Sequence, residues 1–386
     1  MPVPSEVVIA HPSADVYGSD LQLLETVSAF DEVGIKTRVV LPSDGPLVAL
    51  LEQRGADVAL VDFPVLRKSL ITPLGLIGLL WATVTALAPL IRVLRSSPGS
   101  PLLVNTVTIP VWTIVGRLCR RRTVTHVHEA EEDGNRLVRR ALATPVLLSS
   151  AVVVNSAAAE RALTDVVPML RRKISVVHNG VPSAPDRVPA RHRPVGSPAT
   201  LALVARLSPR KGIDVALDAL AILRSEGRDV RLQVCGTVFE GYEWFEQAVR
   251  DRSALPDLMG AVDFLGYVNP TWPVLAQADV VLVPSLVEPF GNTAVEALHA
   301  MRPLVASRTQ GLVEIVRDGN TGLLAEPGDA GSLARAVASL LDHPEKAAAL
   351  AQAGHDDAAR RFSTDAYRAA IRTAVIGAPV TGDSSP

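Results

Sequence analysis

Two stretches in the second half of the chain hold residues suited to a phosphorylated ligand. In Ala205-Arg206-Leu207-Ser208-Pro209-Arg210-Lys211-Gly212 a strand-like run ends and a helical pattern opens. Arg206 and Lys211 then project near the strand's carboxyl end, where two cations and helix amides can hold a diphosphate. A basic loop that only caps a helix accounts for the same residues. The second stretch, Val283-Pro284-Ser285-Leu286-Val287-Glu288-Pro289-Phe290-Gly291-Asn292-Thr293-Ala294-Val295-Glu296, reads as strand, turn at Gly291 and helix. Backbone N–H groups of Asn292 and Thr293 at that helix start suit a phosphate. Glu296, one turn in, can accept both hydroxyls of a ribose, and Glu288, ahead of the glycine, can accept hydroxyls of an attached sugar.

The first half offers fewer chemical groups. Ser13-Ala14-Asp15-Val16-Tyr17-Gly18-Ser19-Asp20 lies between the first strand and the first helix, with Ser19 or Asp20 available as N-cap. Thr125-His126-Val127-His128-Glu129 ends another strand; alternation puts both histidines on one face, His128 nearer the strand end. His126 reads as a packing residue, and Glu129, Glu131, Glu132 and Asp133 suit the start of a following helix. Cys119 and Cys235 have no Cys-x-x-Cys or His neighbour at metal spacing, so a reducing compartment is expected.

These groups need a scaffold, and the pattern supplies one. Candidate strands Glu6–Ala10, Thr37–Leu41, Val58–Val61, Leu102–Asn105, Thr123–Val127, Ala151–Asn155 and Ile174–Val177 alternate with helical stretches. Such alternation is the signature of βαβ units on a parallel sheet. A proline-rich polar interval, 181–198, interrupts it as a linker. Alternation resumes with Leu201–Ala205, Val230–Cys235, Val262–Leu265, Val280–Pro284 and Leu304–Ser307. A length of 386 residues fits two such α/β domains. Ligands of open parallel sheets bind beyond the strands' carboxyl ends, and two joined domains create a cleft there. From Ala330 the chain reads as helical, and from Gly377 as a polar, disordered tail over 377–386.

Together these motifs resemble the retaining glycosyltransferases of family 4, which have the GT-B fold of two Rossmann-like α/β domains facing each other across a cleft. The resemblance rests on Arg206 with Lys211 and on Glu288 and Glu296 inside Glu-Pro-Phe-Gly-Asn-Thr-x-x-Glu. His178-Asn179-Gly180-Val181, Phe264-Leu265-Gly266-Tyr267-Val268 and Gly319-Asn320-Thr321-Gly322-Leu323-Leu324 agree with it. It implies an acceptor-binding domain over 1–180, with a helix near 363–376 packing back on it, and a nucleotide-sugar domain over 199–362. It implies that Arg206 and Lys211 neutralise the leaving diphosphate, that Glu296 holds the ribose and that Glu288 holds the donor sugar. Gly236 and Val268 would let the backbone approach the nucleotide and base. Phe290, Gly291, Asn292 and Thr293 would complete the donor site, Gly18 and Ser19 would approach the donor phosphates, and His128 would touch donor sugar or acceptor. The family commonly has a glycine pair where this chain has Gly18-Ser19. No cofactor is implied beyond the nucleotide diphosphate sugar, and no metal: cations and a helix end can do a metal's work at the phosphates. A front-face attack, in which a phosphate oxygen takes the acceptor's proton, needs no Ser-His-Asp or carboxylate dyad. A non-catalytic nucleotide-sugar binder or an epimerase on the same fold are the readings outside transfer.

Charge adds a clue that the totals hide. The chain has 38 basic and 40 acidic residues, a net charge of −2 that recommends no nucleic acid. Yet between Asp62 and Glu129 every charged residue is basic: Arg67, Lys68, Arg92, Arg95, Arg117, Arg120, Arg121 and Arg122. Ser69 to Ile91 carries no charge and is long enough to span a bilayer, although it falls where the sheet calls for a covering helix. The basic flanks favour a surface over 67–95 that dips into an anionic membrane interface. With no secretory signal in Met1–Pro12, the expected place is the cytoplasm, at the inner face of the plasma membrane. The expected acceptor is a lipid-linked or cell-envelope glycan, with a soluble secondary metabolite as the alternative.

Overall fold

The computed structural model of the chain describes residues 3–16, 18–66, 73–130, 135–184, 196–238 and 241–377. Arg67 and Lys68, the acidic residues 131–133, most of the expected linker and the tail beyond Gly377 lie outside these. The described residues form two compact units: one up to Gly180 joined by the helix Thr364–Ile376, the other from Val181 to Ser363.

The first unit is built on seven parallel strands: β1 (Glu6–Ala10), β2 (Lys36–Leu41), β3 (Asp57–Leu60), β4 (Leu102–Val104), β5 (Thr123–Val127), β6 (Ala151–Val154) and β7 (Ile174–Val176). Their order is 3-2-1-4-5-6-7, with Ile9 opposite Val39 on one side and Leu103 on the other. Val7 to Ala10 are fully buried because helices cover both faces. On one face the helix Gly18–Asp31 packs Leu23, Val27 and Phe30 with Tyr367, Ile371 and Val375 of the closing helix. Polar contacts fix that closing helix: Tyr367 Oη lies 2.6 Å from Thr26 Oγ1, and Arg368 Nε donates to the buried Glu25 carboxylate at 3.0 Å.

On the opposite face the long helix Pro73–Ser96 buries Ala86, Leu90 and Leu94 against Trp112 of the helix Pro110–Leu118. Arg121 of the following turn donates to Leu94 O at 2.6 Å. Another side of this helix is exposed among the described residues. Ile77, Leu80, Trp81 and Val84, at i, i+3, i+4 and i+7, are 54–71% exposed and form one stripe.

The second unit repeats the plan with six parallel strands: β8 (Ala199–Val204), β9 (Val230–Cys235), β10 (Val262–Gly266), β11 (Val280–Val283), β12 (Leu304–Ser307) and β13 (Leu323–Ala325). The order 10-9-8-11-12-13 reverses direction between β8 and β11, the switch point at whose carboxyl side ligands bind in such sheets. The helix Ile213–Ser225 after β8 and the helix Ala330–Asp342 bury one face, and the helix Asn292–His299 after β11 helps bury the other.

Candidate functional site

At the switch point of the second unit, backbone pairing carries past the strand ends. Ala205 N–H donates to Cys235 O at 2.9 Å and Leu207 N–H to Thr237 O at 3.0 Å, which fixes the backbone of Arg206 between them. Gly236 makes this approach possible: at φ +142° its backbone lies where a Cβ would stand 1.8 Å from Ala205 O. Its N–H donates to Gly266 O at 2.7 Å, so the ends of β9 and β10 meet next to the loop that carries Val268. After a 3-10 turn, Pro209–Lys211, Gly212 adopts the left-handed conformation against Pro284 O and sets Lys211 beside the end of β11.

There Lys211 Nζ meets Glu288 Oε2 at 2.5 Å, both side chains mostly shielded from solvent. Ser285 Oγ donates to the same oxygen at 3.1 Å, and Gln310 Oε1 accepts the Glu288 N–H at 3.1 Å. Lys211, Ser285, Glu288 and Thr293 line a pocket with Val204, Ala205 and Pro284. The expected diphosphate cation and the expected sugar carboxylate are therefore partners of each other. Gly291, at φ +118°, turns the chain into the helix Asn292–His299, and Thr293 Oγ–H donates inward to Val204 O at 3.3 Å. Glu296 follows with its carboxyl drawn into the protein, where desolvation pushes its pKa up to about 7; the Thr271 hydroxyl, donating at 3.0 Å, offsets this only in part.

Phe290, expected at the donor site, has its ring buried and packed edge-on against Phe362 at 5.7 Å, so its side chain serves the core and any donor contact falls to its backbone.

At the carboxyl end of the first unit's sheet the structure joins residues that the sequence kept apart. The helix begins at Gly18, so Ser19 and Asp20 lie in its first turn and neither is its N-cap. Asp20 is buried beside His11, directly after β1; Asn105 directly follows β4, and His128 directly follows β5. His128 Nε2 lies 3.0 Å from Asn105 Oδ1, and its Nδ1 is buried with no hydrogen-bond partner among the described residues. Burial drops its pKa to about 3, so the ring is neutral at physiological pH. His126 is fully buried, its ring 4.0 Å from that of His128. His11 and Asn105 were not singled out in the sequence, although each directly follows a strand on a sheet of this kind. Among the described residues no cluster of three His, Cys, Asp or Glu side chains suits a metal ion.

Comparison with known proteins adds identity to this geometry. A family model described as glycosyl transferases group 1 matches residues 186–357, and one described as Glycosyltransferase Family 4 matches residues 18–184. The glycogen synthase of Mycobacterium tuberculosis is 34% identical over 219 residues, 56% of this chain and 50% of that protein. A D-inositol 3-phosphate glycosyltransferase of Corynebacterium aurimucosum is 31% identical over 258 residues, 62% of this chain and 60% of its own. The lipopolysaccharide core glycosyltransferase LpsE of Rhizobium meliloti is 32% identical over 175 residues, 41% and 51%. The chain thus spans about half the length of the curated relatives it matches. Among solved structures, Anabaena Alr3699/HepE in complex with UDP-glucose superposes with a TM-score of 0.80 at 24% identity, covering 95% of this chain and 98% of that one. The apo galactosyltransferase WaaB gives 0.72 at 15% identity, covering 96% and 98%. At such identities the likeness shows the fold, which is the GT-B fold.

Proposed function

Because the chain belongs to the family 4, group 1 glycosyltransferases, we propose that it transfers a sugar from a nucleotide diphosphate sugar to an acceptor hydroxyl with retention of configuration. The observation that carries this reading is the meeting of Lys211 with Glu288 at the switch point of a parallel sheet. The two cations stabilise negative charge as it develops on the departing diphosphate, and a preorganised site needs no rearrangement to do so. Glu288 exchanges its ammonium partner for sugar hydroxyls as the diphosphate takes Lys211. Glu296, once ionised, accepts the ribose hydroxyls. In the transfer the bond from the anomeric carbon to the phosphate oxygen breaks, the acceptor oxygen bonds to that carbon from the same side, and the acceptor's proton passes to a phosphate oxygen. His128, neutral and tied to Asn105, acts in this scheme as a substrate contact and not as a proton donor. Arg206, Lys211 and the helix start at Asn292 supply the positive potential, so the reaction proceeds without a metal ion.

For the acceptor we favour a lipid-linked or cell-envelope glycan intermediate, met at the inner face of the plasma membrane. The exposed stripe Ile77, Leu80, Trp81 and Val84 supports this, with Arg92 and Arg95 exposed farther along the same helix. The similarity to inositol-phosphate glycosyltransferases favours a second reading, a soluble acceptor. A panel of nucleotide sugars tests the assignment by thermal shift and turnover, with Glu288→Ala and Arg206→Ala as controls. A donor that stabilises the protein and releases its nucleotide only with acceptor is expected. No stabilising donor, or normal turnover by both variants, overturns it.

A further inference from the structure

Four side chains at the sheet end of the first unit form one line of hydrogen bonds. Asp20 Oδ1 and His11 Nε2 are 2.7 Å apart, His11 Nδ1 and Asn105 Nδ2 2.9 Å, and Asn105 Oδ1 and His128 Nε2 3.0 Å. Three of them directly follow β1, β4 and β5, which are neighbours in the sheet, and the fourth opens the helix Gly18–Asp31. With Asp20 ionised, one proton assignment satisfies every link without placing a charge on a buried ring. The carboxylate accepts from His11 Nε2–H, the bare His11 Nδ1 accepts from the amide N–H, and the amide oxygen accepts from His128 Nε2–H. The amide is oriented for this assignment, with its Nδ2 toward His11 Nδ1 and its Oδ1 toward His128 Nε2.

We infer that Asp20, His11 and Asn105 are positioning residues for sugar transfer, holding His128 as its Nε2–H tautomer while anchoring Ser13 and the start of the helix Gly18–Asp31 to the same line. The inference rests on the transferase reading above. An amide in the middle passes no proton, so the line orients groups and does not relay charge. Its two ends do different work. At one end Asp20 Oδ1 also accepts from Ser13 Oγ at 3.1 Å and from the neighbouring Ser19 Oγ at 3.5 Å, which ties Ser13 to the helix start expected at the donor phosphates. At the other end the His128 ring lies against His126, and its backbone N–H donates to Glu129 Oε2 at 3.0 Å. Breaking the line at His11 takes a partner from Asp20 at one end and from Asn105, and through it His128, at the other.

Nitrogen-15 spectra of the intact protein, with the His128 signals identified by their loss in His128→Gln, read the tautomer directly. The expected result is a pyrrole-like Nε2 and a pyridine-like Nδ1 on His128. His11→Phe is expected to mix the tautomers, to lower kcat about 10- to 100-fold, as loss of an orienting partner does elsewhere, and to raise the donor KM. His11→Gln, whose amide offers an acceptor and a donor at nearly the spacing of the ring nitrogens, is expected to restore most of both. Ser13→Ala, which touches only the loop end, is expected to raise the donor KM at unchanged kcat. A wild-type His128 protonated on Nδ1 overturns the inference without any variant, as does His11→Phe with unchanged tautomer and turnover. The spectra need neither donor nor acceptor. A wrong tautomer therefore sinks the positioning line alone, and absent donor turnover sinks the transferase reading.

Discussion

Lys211 and Glu288, 77 positions apart in the chain, share a 2.5 Å ion pair in the pocket where the diphosphate is proposed to bind. The pair holds each partner in place but also makes each compete with the ligand for the other. The two truncations should therefore have opposite effects on product binding. Glu288→Ala leaves the Lys211 ammonium without its carboxylate, so the nucleoside diphosphate of the donor that turns over should bind several-fold more tightly while transfer falls about 10²- to 10³-fold. Lys211→Ala should weaken both. Calorimetric titration of the diphosphate beside steady-state kinetics checks this, and weaker binding by Glu288→Ala would remove the competition from the account.

Glu296 carries a carboxyl pushed up to about 7 by burial. Ribose hydroxyls bind the ionised form, so donor binding must draw off a proton below that pH. Donor Kd should therefore weaken by up to about ten-fold per unit below pH 7 and level off above it. In Glu296→Gln binding should be weaker at pH 8 and flat across the range. Stability moves the other way. The folded-state pKa lies above the unfolded one, so the stabilising contribution is complete below about 4.5 and is lost as pH rises through about 7. Without ligand, Glu296→Gln should melt higher than the wild type at pH 8 and match it near pH 4. A melting temperature that tracks the wild type at both pH values would contradict the buried carboxyl.

The strands were legible because a buried parallel strand needs little but β-branched and aliphatic residues, as Val152-Val153-Val154 shows. Glu288 and Glu296 were legible because a glycine turn and a helix start fix their spacing locally. What local pattern could not give is who meets whom over long separations. Nothing near Lys211 announces Glu288, and His11 and Asn105 lie 94 residues apart, brought together only by the strand order 1-4. The packing of Phe290 stayed hidden for a related reason: only the later Phe362 reveals the pocket that takes its ring.

The helix Pro73–Ser96 carries apolar residues on two sides, and the sheet needs one. Ala86, Leu90 and Leu94 are spent on the core with Trp112, whereas Ile77, Leu80, Trp81 and Val84 face outward. Arg92 and Arg95 extend the exposed side toward the helix end, and neither forms an ion pair with a described residue. Vesicles containing an anionic lipid should sediment the protein and shift the tryptophan emission, whereas neutral vesicles should do so weakly and added salt should release it. Trp81→Ser with Leu80→Ser should abolish sedimentation and leave the fold intact, since neither side chain is in the core. Arg92→Glu with Arg95→Glu should lose only the dependence on anionic lipid. If the protein ignores vesicles and instead dimerises through the stripe by light scattering, the stripe belongs to a second copy and the soluble-acceptor reading gains.

The closing helix Thr364–Ile376 begins directly after the second unit yet completes the core of the first. Tyr367, Ile371 and Val375 are buried with Leu23, Val27 and Phe30, and burial of three such side chains is worth about 5 kcal/mol or more. Arg368 pairs with the buried Glu25, which among the described residues also meets the half-exposed Arg54 at 3.4 Å. Ending the chain at Ser363 therefore exposes an apolar face and strands a carboxylate in the first unit, although every deleted residue follows the second. Hydrogen exchange should show this by unit: peptides from β1 and β2 should lose protection, and peptides from β8 and β11 should keep theirs. Glu25→Gln with Arg368→Gln should cost less than Arg368→Gln alone, because the double variant leaves no buried charge behind. Equal loss of protection in both units would mean that the helix stabilises the whole chain and not the first core.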